Sequence, residues 1–154
     1  ETKGHATLPA LGFTLTAEAD RIDIDETGNL HIYDYKTGTP PTKDEQAHFD
    51  KQLLLEAAIA EQAGFDGLGP AHVASATFIG LASGGKIVSA PLQDEPPAKV
   101  WHEFEALIAR YQHPGKGYTA RRAMHGKADH GDYDQLARFG EWDITDDPHR
   151  YELR

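Results

Sequence analysis

Four residues near the start of the chain have the types and spacing for metal-assisted chemistry: Glu18, Asp20, Asp34 and Lys36. Glu18 and Asp20 lie two apart within Phe13–Ile24, and Asp34 and Lys36 lie two apart within Leu30–Lys36. Both segments are rich in β-compatible residues, and Asp25-Glu26-Thr27-Gly28-Asn29 between them is turn-like. A hairpin symmetric about Thr27 sets Ile24 opposite Leu30, Ile22 opposite Ile32, Asp20 opposite Asp34 and Glu18 opposite Lys36. Residues two apart on a strand share a face. One face would then run from aliphatic pairs, through a carboxylate pair, to a carboxylate–lysine pair.

Directly opposed carboxylates repel and weaken a sheet. A divalent cation removes that penalty, and Mg2+ is usually held by one or two carboxylates plus water and a substrate phosphate. Lys36 then stands one pleat further on, placed to act on a water or a phosphoryl oxygen. From the pairing alone two readings are open: a cation site, or a solvated face on which water separates the acids. Glu18 likewise reads either as an extension of the metal site or as a salt-bridge partner of Lys36. Arg21 and Asp23 fall on the other face and pair with each other.

The elements that must hold these residues follow from the pattern around them. Thr2–Leu8 reads as an edge strand ended by Pro9 and the Ala10-Leu11-Gly12 turn. After the hairpin (13–36), Thr37-Gly38-Thr39-Pro40-Pro41 breaks the sheet, and Thr42-Lys43-Asp44-Glu45 is a capping box. The expected helix runs over about 43–63 and closes on Gly64. Its run of Leu53, Leu54, Leu55, Ala57, Ala58, Ile59 and Ala60 predicts heavy packing on the sheet. Strands over about 73–82 and 86–90 flank Ser83-Gly84-Gly85. A helix over about 98–112 carries Trp101, Phe104, Leu107, Ile108 and Tyr111 on one face, a spacing that reads as core. Beyond His113 the chain is irregular, with a short helix expected at Tyr133–Arg138. The order predicts an α/β domain with a mixed central sheet flanked by helices. Residues 1–112 are expected to form the core, and 113–154 an extension packed on it.

Composition narrows the function. The chain has 154 residues, 39% hydrophobic and 26% charged, as expected of one globular domain. No run approaches the length of a membrane helix, and no signal-peptide pattern opens the chain. It begins at Glu1, as a piece of a longer protein would. The absence of Cys excludes thiolate zinc sites and iron–sulfur clusters within it and fits a cytoplasmic setting. A net charge of −10 argues against a simple nucleic-acid-binding module but not against an enzyme whose acids hold a metal. The exception is Arg110–His130, with five Arg or Lys and a single acid. There Arg121, Arg122 and Lys127 read either as contacts to a DNA backbone or as a solvated loop. The His residues from His102 to His130 lack zinc spacing, no phosphate loop occurs, and no nucleophile motif supports Ser–His–Asp catalysis.

Three stretches carry a resemblance. Ala19-Asp20-Arg21-Ile22-Asp23, Ile32-Tyr33-Asp34-Tyr35-Lys36-Thr37-Gly38 and Gln52-Leu53-Leu54-Leu55 resemble the RecB-like branch of the PD-(D/E)XK nucleases, with their restriction-endonuclease-like core. Tyr133-Asp134-Gln135-Leu136-Ala137-Arg138, continuing to Gly140-Glu141-Trp142, resembles the C-terminal end of AddB-type subunits of bacterial helicase–nucleases. The resemblance implies a Mg2+-dependent (or Mn2+-dependent) DNA phosphodiesterase of exonuclease type, acting in double-strand-break repair beside an AddA-like subunit. It implies Asp20, Asp34 and the Tyr35 carbonyl as metal ligands, Lys36 acting on the attacking water, and Gln52 orienting water or phosphate. Many relatives carry Tyr four residues after the Gln; here that position is Glu56, an accessory candidate alongside Glu18. Competing expectations are a CRISPR-associated RecB-like exonuclease, and a catalytically weak nuclease fold kept for DNA binding or subunit docking.

Overall fold

The computed structural model describes residues 1–82, 84–118, 131–143, 145–147 and 149. They divide into two units, Glu1–Ala109 and Arg110–Arg154. The first unit opens with β1 (Thr2–Leu8), a 3-10 turn at Pro9–Leu11 and β2 (Phe13–Ala19), paired antiparallel. β3 (Arg21–Ile24) and β4 (Leu30–Lys36) form the expected hairpin. Their register sets Ile22 against Ile32 and Ile24 against Leu30, as expected. Asp25 closes the turn: its Oδ1 accepts from the Thr27 amide at 2.8 Å and the Asn29 amide at 2.9 Å. The bond from the Thr27 hydroxyl, followed by those from the Asn29 amide and side chain and the Thr27 amide, holds its carboxyl well below the usual carboxylate range.

The expected long strand Phe13–Ile24 is two strands, broken by a bend at Asp20. β2 leaves the hairpin there and pairs with β1, so Glu18 faces Lys3, not Lys36. Asp20 is not a ladder partner of Asp34 either, because pairing stops at Arg21 with Tyr33. The cause is the β1–β2 sheet, which claims every β2 residue from Phe13 to Ala19. Arg21 and Asp23 do pair, through bonds of 2.8 and 2.7 Å.

The predicted helix over 43–63 is likewise two: α1 (Lys43–His48) and α2 (Gln52–Gln62). The Thr42–Glu45 capping box is present, with both reciprocal bonds. Asp50, one residue before the N-cap Lys51, turns the chain between the helices, its Oδ1 accepting from the Gln52 amide at 3.3 Å. α2 ends as expected at Gly64, whose φ of 84° is left-handed and whose amide donates to Ile59 O at 3.0 Å. A Cβ there would collide with the Leu68 carbonyl oxygen. From there β5 (Val73–Gly80) returns parallel to β4, and β6 (Ile87–Ser89) pairs antiparallel with β5. The four-stranded order β3-β4-β5-β6 is the expected mixed sheet, its parallel step made by the α1–α2 crossover.

Leu53, Leu54, Ala57, Ala58, Ile59 and Ala60 of α2 are buried with Leu30, Ile32, Ala76 and Phe78 of β4 and β5. Each fully buried Leu or Ile contributes about 1.5–3 kcal/mol, and the three alanines let the helix backbone approach the sheet. α3 (Pro97–Gln112) forms where expected. Its aromatic stripe is half-buried rather than core, with Phe104 edge-on to Phe13 at 5.8 Å; Val100 is its fully buried apolar anchor. In the second unit, Tyr133–Arg138 is a series of turns, not a helix, with bonds mixing i−3, i−4 and i−5 spacing. Among the described residues no helix is long and apolar enough to cross a membrane.

Candidate active site

The hairpin places Asp34 and Lys36 two apart on the face of β4 that α2 covers, and Gln52 opens α2 beside them. Asp34 is 5% exposed, an unusual burial for a carboxylate. Gln52 ties the three together: its Nε2 donates to Asp34 Oδ1 at 2.5 Å, and its Oε1 accepts from Lys36 Nζ at 2.7 Å. Lys36 Nζ also lies 3.0 Å from Asp34 Oδ2 and 5.0 Å from the centre of the Phe78 ring. Asp34 Oδ2 has that ion-pair contact but no hydrogen bond. The approach of Lys36 is Coulombic, leaving lone pairs of a buried oxygen unsatisfied.

Asp20 reaches the same place by another route. It is exposed at the bend, and its Oδ2 accepts from the Tyr35 amide at 2.9 Å. The carboxylate thus takes the place of the ladder partner that β4 loses when β3 begins at Arg21. In a strand the N–H and C=O of one residue point to the same side. The Tyr35 carbonyl therefore points toward the edge where Asp20 sits, while the Lys36 carbonyl points to β5, accepting from the Leu81 amide at 2.8 Å.

Of the sequence candidates, Asp34, Lys36 and Gln52 are in direct contact, and Asp20 joins them through the backbone of Tyr35. Glu18 stands apart from Lys36 and lines a groove of about 260 Å³ between β2 and α2, with Gln52, Glu56 and the apolar walls Leu15, Leu55 and Ile59. Glu56 is more central than its position in the sequence suggests. It is 3% exposed, accepts from Gln52 Nε2 at 3.1 Å through Oε1, and leaves Oε2 without a partner. The readable signal was a charged residue on the apolar side of an Ala- and Leu-rich helix. Arg121, Arg122 and Lys127 lie outside the described residues.

Burial, followed by the charges of Asp34 and Asp20, pushes the Glu56 carboxyl up to about 7. A raised pKa means that the fold favours the neutral acid. Its stabilising contribution is complete below about pH 4.5 and fades as pH rises through 7. In metal-free buffer, raising the pH from 5 to 8 should cost wild type on the order of 2 kcal/mol of unfolding free energy relative to Glu56→Gln. Parallel stability curves for the two proteins would contradict this.

One further cluster looks catalytic and is not. His31 Nδ1 lies 2.8 Å from Ser75 Oγ, and Nε2 lies 3.4 Å from Asp25 Oδ2. The ring nitrogens are used in the opposite sense to a serine-hydrolase triad, and the Asp is already committed to the turn. The chain clasps the β3–β4 turn to β5.

Among the described residues, no group of three or more His, Cys, Asp or Glu forms a ready-made metal cage. The Asp20 and Asp34 carboxylates, the latter with an unsatisfied buried oxygen, and the Tyr35 backbone carbonyl make a hard, all-oxygen donor set. That set fits Mg2+, which keeps several of its waters. A family model described as the PD-(D/E)XK nuclease superfamily matches residues 2–136. The chain belongs to that superfamily. Membership supports a nuclease-type hydrolase. The curated proteins it matches include an uncharacterised protein of Rickettsia conorii, 41% identical over 68 residues. Another, from Rickettsia felis, is 39% identical over 69 residues. The matches span 42% and 43% of this chain and 8% of each relative. No solved structure gives a significant match.

Proposed function

We propose that this PD-(D/E)XK domain hydrolyses DNA phosphodiester bonds with a divalent cation, Mg2+ or Mn2+, held by Asp20, Asp34 and the Tyr35 carbonyl. The observation that carries this reading is the buried Asp34 carboxylate, with an unsatisfied oxygen, on the same face as Lys36 and tied to it by Gln52. Such a carboxylate is costly in a structural role and well suited to a cation. When bound, the cation supplies Lewis acidity toward the scissile phosphate.

The chain's own residues supply the rest. Lys36, a compact point charge 29% exposed at its side chain, reaches the attacking water or a phosphoryl oxygen and offsets negative charge as it develops. Gln52 holds Lys36 through its carbonyl and Asp34 through its amide, fixing both before substrate arrives. Arg121, Arg122 and Lys127 are assigned to the DNA backbone, where cationic contacts offset the −10 charge of the chain.

The wider role follows the resemblance of residues 133–142: the nuclease domain of an AddB-like subunit, paired with an AddA-like helicase–nuclease subunit, in cytoplasmic double-strand-break repair. A second reading rests on the closed network itself, because Lys36 covers the Asp34 oxygen that a cation needs. In that reading the fold is retained for DNA binding or docking. Incubating the full-length protein with end-labelled duplex and single-stranded DNA, in Mg2+ and in EDTA, separates them. Cleavage in Mg2+ that EDTA abolishes is expected; DNA binding without cleavage would establish the second reading.

A further inference from the structure

We propose that Glu56 is a positioning residue that pins the Gln52 amide in place and, through it, the location of the Lys36 ammonium. The proposal rests on the nuclease reading of this site and deepens it. A Gln side chain has two donors on nitrogen and an acceptor on oxygen, and its two ends differ little in shape. Here both donors are committed to carboxylates, Asp34 Oδ1 at 2.5 Å and Glu56 Oε1 at 3.1 Å. Only the carbonyl end is left to face Lys36, and it accepts from Nζ at 2.7 Å.

Asp34 and the Lys36 ammonium set which end of the amide faces which, but Asp34 engages only one of the two amide protons and leaves the side chain free to swing about that bond. Glu56, one helical turn further along α2, engages the other. Turning the amide over would set the Gln52 carbonyl against the Asp34 carboxylate and its NH2 group against the ammonium. The arrangement therefore has one low-energy state, and Lys36 is held ready by a residue that touches neither cation nor substrate. Glu56 is 3% exposed and fixed on the rigid α2 helix, so its acceptor is held one turn from Gln52.

The test uses the full-length protein with Glu56→Leu, which removes the acceptor while keeping side-chain volume, and Glu56→Gln, whose Oε1 can still accept from Gln52. Glu56→Met replaces the first variant if its circular dichroism shows a folding defect. One arm measures steady-state DNA cleavage in Mg2+. The other measures acylation of Lys36 in metal-free protein at fixed pH by peptide mass spectrometry, and needs no activity. The expected result for Glu56→Leu is a kcat at least 10-fold lower with KM within twofold, and Lys36 acylated several-fold faster. Glu56→Gln should stay within threefold of wild type in both arms. Wild-type Lys36 acylation in Glu56→Leu, or equal impairment of the two variants, would overturn the proposal. A wild-type protein that never cleaves DNA would overturn the nuclease reading instead, while the acylation arm still decides the coupling.

Discussion

Lys36→Met is expected to lower DNA cleavage by about 10²–10⁴-fold while leaving divalent-cation binding at least as tight as in wild type. Methionine keeps an unbranched side chain of similar length, so the loss is chiefly of charge, including that of the ammonium 5.0 Å from the centre of the Phe78 ring. Cation binding should not suffer, because the ammonium now 3.0 Å from Asp34 Oδ2 is a competitor for that oxygen. The same substitution strands a buried carboxylate: Asp34 is 7% exposed at its side chain, so water cannot replace Lys36. In metal-free buffer the variant should lose on the order of 2 kcal/mol of stability, discounted from fully buried pairs because Lys36 reaches solvent. Adding Mg2+ should therefore raise its melting temperature more than it raises that of wild type. Cleavage kinetics and melting curves with and without Mg2+ check both halves.

Asp34→Asn should have the opposite profile. Cleavage should fall by about 10³-fold or more, on the scale of losing a charge-stabilising group at the reacting centre. The cation-dependent rise in melting temperature should disappear. Metal-free stability should change by less than about 1 kcal/mol, because the Lys36 ammonium can turn to water and keeps Gln52 Oε1 at 2.7 Å. The asymmetry follows from exposure: one partner of the pair can be rescued by solvent and the other cannot. A double variant, Lys36→Met with Asp34→Asn, should accordingly be more stable without metal than Lys36→Met alone. Equal destabilisation by the two single substitutions would show that Asp34 is better solvated than its burial implies.

The hairpin was legible in the sequence because three signals agreed: β-rich segments, the Asp25–Asn29 turn chemistry, and a register that sets aliphatic residues opposite each other. Those signals are local, and they hold from Ile24 back to Arg21. At Asp20 a non-local competitor wins, since β1 offers β2 a complete antiparallel partner. No pattern within the hairpin records that exchange. Asp20 does not face Asp34 as expected; its carboxylate instead accepts from the amide of Tyr35, the residue after Asp34. The break between α1 and α2 had a readable sign in Asp50, a turn-forming residue type two positions before Gln52. The unbroken apolar run that follows masked it. Glu56 was visible as a charge in that run, and its spacing of four from Gln52 allowed the bond within one helix, but its burial depends on the elements packed against α2, which only the fold decides. The short helix expected at Tyr133–Arg138 failed for a simpler reason: six residues are too few to sustain helical bonding without packing.

The central claim is that Asp20 and Asp34 hold a divalent cation beside Lys36. Anomalous diffraction from crystals of the full-length protein soaked in Mn2+ tests it most directly. A single strong peak bonded to the carboxylates of Asp20 and Asp34, absent from Asp34→Asn crystals, is the expected result. A wild-type map with no peak at those carboxylates, in crystals whose protein cleaves DNA in Mn2+, would contradict the claim.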